Sequence, residues 1–205
     1  MTWGTITDEG VAAAEKLINV PLRRDRMQWI EEITVDSIRH FAWGIGDNNP
    51  LWLDRKYASQ SVYGDLVAPP CILYAVDGTV VAPKLPGVQW LYAGTSWTWF
   101  EPILLGDKFN VEARLKKQEL KSGRRFSKWI LQTGEINYFN QKGRMTGKAI
   151  ARCARTPRGE ALKKEKRSKP FKSTAPHSYT QKEIEEIENQ VIQEPRRGSE
   201  HLFWG

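Results

Sequence analysis

Gln89-Trp90-Leu91-Tyr92-Ala93-Gly94-Thr95-Ser96-Trp97-Thr98-Trp99 is the stretch on which the fold turns. Leu91, Ala93, Thr95, Trp97 and Trp99 alternate with Trp90, Tyr92, Gly94, Ser96 and Thr98, the period-two signature of a strand. Pro102 and Gly106-Asp107 interrupt it. Phe109, Val111, Ala113 and Leu115 then alternate with polar partners in a second strand. Lys121-Ser122-Gly123 predicts a hairpin turn, residues 126 to 138 a third strand, and Asn140-Gln141-Lys142-Gly143 a second turn. Met145, Gly147, Ala149 and Ala151 carry the last strand to about Thr156.

Upstream the period is helical. Thr7 before Asp8 and Glu9 predicts a capped helix with Val11, Ala14, Leu17 and Ile18 inward, stopped by Pro21. Residues 29 to 33 read as a short strand. Thr34 caps a second helix, whose Val35, Ile38, Phe41, Ala42 and Ile45 recur at helical spacing. It ends in the turn cluster Gly46-Asp47-Asn48-Asn49-Pro50. Residues 54 to 60 suggest another helical turn. Val67-Ala68-Pro69-Pro70 leads into Cys71-Ile72-Leu73-Tyr74-Ala75-Val76, a helix entered through prolines and closed near Gly78. Its apolar character on most faces predicts burial by something that wraps it. Helices first and antiparallel strands afterwards give an α+β fold, one sheet with a helix against its face.

The chain has 205 residues, 40% of them apolar, enough for one domain with an appendage. We read residues 1–156 as the domain, 157–179 as a basic linker, and 180–205 as a C-terminal helix and tail that dock on their own domain or on a partner. Lys plus Arg exceed Asp plus Glu by 31 to 24. From Arg155 to Lys172 there are eight basic and two acidic residues, so this segment holds nearly all of the net charge. Those bases crowd into a Pro-, Gly- and Ser-rich stretch rather than a groove interleaved with aromatics, which argues against nucleic acid. No apolar run reaches the roughly 20 residues of a membrane span. No secretory leader is visible at Met1 to Gly10. Two cysteines, Cys71 and Cys153, and three histidines, His40, His177 and His201, provide neither a disulfide framework nor a multi-ligand metal centre. A cytoplasmic protein without metal or cofactor is expected. Thr180-Gln181-Lys182-Glu183 is a capping box before the stripe Ile184, Ile187, Val191, Ile192, and Leu202-Phe203-Trp204 closes the chain.

Gly46-Asp47-Asn48-Asn49-Pro50-Leu51-Trp52-Leu53-Asp54, with Tyr57-Ala58 following, resembles the hydratase signature of the MaoC-like family: Gly-Asp, any residue, Asn-Pro, an aliphatic, His, any residue, Asp. Ala68-Pro69-Pro70, Trp99-Phe100-Glu101-Pro102 and Gly106-Asp107 match the same family in the same order. They are most similar to its N-terminal, fungal-synthase-like dehydratase branch. The resemblance covers roughly residues 5 to 155, together with much of the tail. It implies a hot-dog fold, an antiparallel sheet curled round one central helix. It also implies hydration of enoyl thioesters, or dehydration of 3-hydroxyacyl thioesters, on coenzyme A or acyl carrier protein, at a site where two hot dogs pair.

In that family an Asp and a His share the acid–base work. Asp47 stands at the Asp position, but Trp52 stands at the His position, and an indole N–H has no proton to exchange near neutral pH. The resemblance therefore implies a vestigial or supporting role for Asp47, and acyl-thioester contacts at Asn49, Trp52, Pro70, Cys71 and Ile72. Pro69 and Pro70 have no N–H, which leaves oxyanion donors to Cys71 and beyond. Three readings follow. The chain shapes the acyl pocket while a second MaoC-like hot-dog subunit supplies the Asp/His pair. It is a self-sufficient homodimeric hydratase using Asp47 with a residue such as His40. Or it binds acyl thioesters without turnover.

Overall fold

The computed structural model describes residues 4–22, 27–123, 126–158 and 178–193. His177, His201, nearly all of the basic linker and Leu202 to Trp204 lie outside them. The chain divides into two units, Met1–Lys164 and Glu165–Gly205.

In the first unit α1 (Asp8–Glu15), β1 (Pro21–Leu22), α2 (Val35–Gly44), α3 (Pro50–Leu53) and α4 (Arg55–Ser59) precede β2 (Val67–Ala68). A 3-10 turn, Pro70–Ile72, runs into α5 (Leu73–Val76). The strands β3 (Gln89–Trp99), β4 (Ile103–Leu104), β5 (Asn110–Lys121), β6 (Trp129–Phe139) and β7 (Met145–Thr156) follow. Among the described residues the main sheet has five strands in the order β1-β5-β6-β7-β3, and β2 pairs with β4. Every strand pairing is antiparallel. The sheet's inner face carries Ala113, Leu115, Ile136, Tyr138, Ala149 and Ala151, which pack on Ile72, Leu73 and Val76 in one buried core. This is the hot-dog arrangement.

Two glycines set how closely the central segment lies on the sheet. A Cβ on Gly147 would run into Leu73 Cδ1, and one on Gly134 would come 2.6 Å from Val81 Cβ. Only a bare α-carbon allows that approach.

Three expectations are corrected. The central helix is short, its α-helical part closing at Val76, because Asp77 turns to extended backbone and its carboxylate takes the Gly78 N–H at 2.7 Å. It is wrapped on one side only: Tyr74 and Pro70 are exposed. Residues 29 to 33 form no strand, only the single bridge Glu32–Lys108 with Ile33 buried beside it.

The third correction concerns β3. Its register shifts between Tyr92 and Thr95, and Gly94 supplies the left-handed φ of +106°. Trp90 and Tyr92 lie opposite the buried Arg155 and Cys153; Thr95, Trp97 and Trp99 lie opposite Ala151, Ala149 and Gly147. Directly opposed residues share a face. The inner face is therefore Trp90, Tyr92, Thr95, Trp97 and Trp99, with Leu91 on the outer face. Simple alternation cannot survive a bulge.

Arg155 is 3% exposed, and among the described residues its hydrogen-bond partners include no carboxylate. Its guanidinium donates to the carbonyls of Ala82 (2.9 Å), Lys84 (3.2 Å) and Leu85 (2.8 Å) and to Gln132 Oε1 (3.1 Å). It thereby clasps the return from the central helix to β3, where Lys84 and Leu85 both hold positive φ.

In the second unit, α6 (Gln181–Gln193) opens with the reciprocal capping box. The Thr180 N–H donates to Glu183 Oε2 at 2.8 Å, and the Glu183 N–H to Thr180 Oγ1 at 3.3 Å. No helix among the described residues is long and apolar enough to cross a membrane.

Candidate active site

The end of α2 fixes Asp47. Gly46, at φ +70°, reverses the chain. The Gly46 N–H donates to Trp43 O at 3.1 Å and the Asp47 N–H to Ala42 O at 2.9 Å. These paired bonds are those of a Schellman cap. Asp47 then folds over the next turn: its Oδ1 accepts the Asn49 N–H at 3.1 Å. Asn49 in turn caps α3, its Oδ1 accepting the Leu51 N–H at 2.9 Å, with Pro50 in the first helical turn.

This single turn of helix carries Trp52 back over Asp47. The Trp52 Nε1–H donates to Asp47 Oδ2 at 2.9 Å. Both carboxylate oxygens are thus held by donors of the same chain, neither of which can exchange a proton near neutral pH. His40, the residue weighed as a substitute, is exposed on α2 beside Trp43, with ring centroids 6.1 Å apart.

Asp47, Asn49 and Trp52 form one hydrogen-bonded cluster, and Cys71 lies close enough to feel the Asp47 charge. Burial pushes the Cys71 thiol up, and the neighbouring carboxylate raises it further. A thiol held protonated is a poor nucleophile. Ile72 is fully buried, and its N–H bonds Pro69 O at 2.9 Å, so both its side chain and its donor belong to the fold. Pro70 is exposed, and its carbonyl accepts the Trp99 Nε1–H at 3.0 Å.

That bond marks the edge of a cleft of about 330 Å³ that reading the sequence did not find. Leu51, Trp52, Ala68, Trp99, Phe100 and Ile103 are among its walls. Trp99 stacks on Trp97 at 5.7 Å with the rings 9° from parallel, which fixes that wall. The signal lay in the alternating tryptophans of β3, which read equally well as core.

Beside α5 a run of hydroxyls crosses to β3. Tyr74 Oη and Tyr92 Oη are 3.4 Å apart, Tyr92 donates to Thr95 Oγ1 at 2.8 Å, and Thr95 meets Thr79 at 3.3 Å. Strand β3 is the last in its sheet, bonded among the described residues only to β7. It carries no charged residue from Gln89 to Trp99. Trp90, Tyr92 and Trp99 stand 57%, 51% and 44% exposed along it.

Among the described residues, no group of three or more His, Cys, Asp and Glu could hold a metal ion.

Known proteins are similar to this chain to differing degrees. The model of the FAS1-like dehydratase domain region matches residues 24–146, more than half of the chain. A UPF0336 protein of Streptomyces avermitilis is 27% identical over 92 residues, covering 42% of this chain and 61% of that protein. A 3-hydroxybutyryl-CoA dehydratase of Methylorubrum extorquens is 27% identical over 95 residues, 46% of this chain and 59% of that one. The chain thus spans about three fifths of the length of these relatives. The ChsH1-ChsH2 complex of Mycobacterium tuberculosis has a chain of the same fold, with TM-score 0.56 and 16% identity, covering 74% of this chain and 92% of that one. With the Asp47 turn and the hot-dog sheet topology on the page, the chain belongs to the FAS1-like dehydratase domain region family.

Proposed function

We propose that this chain is the pocket-shaping half of an acyl-thioester hydratase or dehydratase, acting on an acyl-CoA or acyl-ACP, whose acid–base pair comes from a second hot-dog subunit. The reaction adds water across an enoyl thioester. Hydroxide character goes to C3, a proton goes to C2, and the thioester oxygen carries enolate charge in between. One group must take a proton from water and one must deliver a proton to C2.

The observation that carries this reading is the Trp52–Asp47 bond. An indole sits where the signature has an imidazole, and it occupies the carboxylate oxygen that a catalytic histidine or water would need. The loss of one member of such a pair costs about 10²–10⁴ in rate. The free edge of β3 supports the partner. An uncharged strand of eleven residues with exposed aromatics lacks the lysines or prolines that guard a solvent-facing edge. Docking of a second sheet there would cover Trp90, Tyr92 and Trp99 and enclose Tyr74. The relative named a 3-hydroxybutyryl-CoA dehydratase supports the reaction class, and the neighbour solved as a ChsH1-ChsH2 complex supports a two-protein assembly.

The test is to purify the chain alone, and co-purify it with a MaoC-like protein that carries the full Asp/His signature, and to follow hydration of an enoyl-CoA. The lone chain should be inactive and the complex active. Asp47→Ala should leave the complex within a few-fold of its rate, whereas loss of the partner's histidine abolishes it. Full activity of the lone chain would overturn the reading.

A further inference from the structure

The side of the sheet turned away from α5 presents a surface that the proposed function leaves unused. Strand register builds it in rows: Glu119–Leu131–Ala154–Leu91, then Lys117–Thr133–Arg152, then Arg114–Glu135–Ile150–Ser96. Leu91, Leu131, Ile150 and Ala154 give it an apolar centre, and none of the four is buried. Its charge is lopsided. Glu119 meets both Lys117 (3.1 Å) and Lys121 (3.4 Å), Glu135 meets Lys148 (2.7 Å) and Lys116 (4.0 Å), and Glu112 meets Arg114 (3.4 Å). Arg152 is exposed in the middle row. These groups alone set six cations against three carboxylates.

Helix α6 is the chemical complement of that face. Ile184, Ile187 and Val191 recur at helical spacing and stand 38%, 45% and 62% exposed. The rest of the helix brings four glutamates and one lysine. Glu188 follows Ile184 by four and Glu183 precedes Ile187 by four, so acids border the stripe on both sides. Two such helices laid together would set glutamate against glutamate, which disfavours pairing of α6 with another α6.

We propose that α6 of one copy docks on the outer sheet face of a second copy, with the exchange made in both directions. A chain that holds both halves of a complementary contact closes a two-fold pair, because each copy gives its helix and receives the other's. The stripe on Leu91, Leu131 and Ala154 supplies the attraction. The acids beside it, set against Lys117, Lys121 and Arg152, fix register and direction. The contact uses neither the Asp47 turn nor the open edge of β3, so it stands apart from the proposed function.

The experiment is zero-length carbodiimide cross-linking of the full chain, as an equal mixture of unlabelled and heavy-isotope-labelled protein. Mass spectrometry should find α6 glutamates joined to Lys117, Lys121 or Lys148 in peptide pairs that combine the two isotopes. Links confined to a single isotope, or no such links, would overturn the proposal. Ile187→Asp with Val191→Asp should abolish the links and lower the sedimenting mass about twofold. A charge exchange keeps the test open where those aspartates melt the helix. Lys117→Glu with Arg152→Glu in one protein, and Glu185→Lys with Glu188→Lys in another, should each lose the pair, and mixing the two proteins should restore it. A mixture of the two, both folded by circular dichroism, that restores nothing would also overturn the docking.

Discussion

Trp52 Nε1 lies 2.9 Å from Asp47 Oδ2, so the indole satisfies the carboxylate from the position at which the resembled signature has a histidine. Hydrogen bonds to a charged acceptor are worth roughly 1.5–3 kcal/mol. Trp52→Phe keeps the ring but strands Asp47 Oδ2, and should lower stability by about 2 kcal/mol, read as a drop in the urea midpoint. Trp52→His restores the signature. On the proposed function it should give the lone chain hydratase activity above background, with an acid limb near the ordinary histidine value of about 6.5. An inert, well-folded Trp52→His protein would mean that more than this one side chain has been lost.

A buried guanidinium bonded only to neutral oxygens is costly to place and costly to disturb. Burial pulls the Arg155 pKa down, yet its hydrogen bonds to four backbone carbonyls require the charged fork. Arg155→Lys cannot span Ala82, Leu85 and Gln132 at once. It should cost about 3 kcal/mol and lower the melting temperature by roughly 6 to 12 °C for a chain of this size. Thermal unfolding followed by circular dichroism checks it.

The α+β order and the hairpins were legible because β6 alternates along its whole length, and β5 up to its register shift after Leu115 and β7 over its middle do so too, with turn residues between them. The two capped helices were legible because Thr7 and Thr34 are strong N-caps, each accepting a bond from the first turn. The face of β3 was not. A bulge at Gly94 shifts the period by one residue, and propensity says nothing of where a ladder slips. The Asp47 turn could be placed by its motif, but its bond to Trp52 depends on three successive caps summing to one geometry. The Trp52–Trp99 cleft was illegible because its walls come from residues 51 to 103, brought together only by tertiary packing.

Gly134 and Gly147 let the central segment touch the sheet. Gly134→Ala sets a methyl 2.6 Å from Val81 Cβ, an atom that cannot move away without moving the chain, and 2.7 Å from its Cγ2. Gly147→Ala meets the end of the Leu73 side chain, which has rotamer freedom. Overpacking costs about 1–3 kcal/mol. Gly134→Ala should fall near the top of that range and Gly147→Ala lower, an order that chemical denaturation of the two variants tests directly.

An unguarded edge can be guarded. Trp90→Lys with Tyr92→Lys places two cations on the half-exposed face of β3 without touching its ladder to β7. If this edge pairs with another sheet, the double variant should stay folded by circular dichroism and lose its partner, seen as a lower mass in sedimentation. An unchanged mass would put the partner elsewhere.

Glu135 sits on the outer face of the sheet between Lys148 at 2.7 Å and Lys116 at 4.0 Å. The hydrogen bond from Lys148 is the main cause holding its pKa below the usual glutamate value, with partial burial opposing and the charges of Lys148 and Lys116 assisting. A carboxylate whose folded pKa is depressed binds fewer protons in the folded state than in the unfolded one. Its contribution is therefore complete above the unfolded value near 4.5 and is lost as pH falls through that value towards the folded one. Wild-type stability should drop across this acid window. Glu135→Gln, which cannot titrate, should be less stable at pH 7 and should show a shallower decline below pH 5. Parallel acid limbs in the two proteins would show that Lys148 and Lys116 give Glu135 no more than they give solvent.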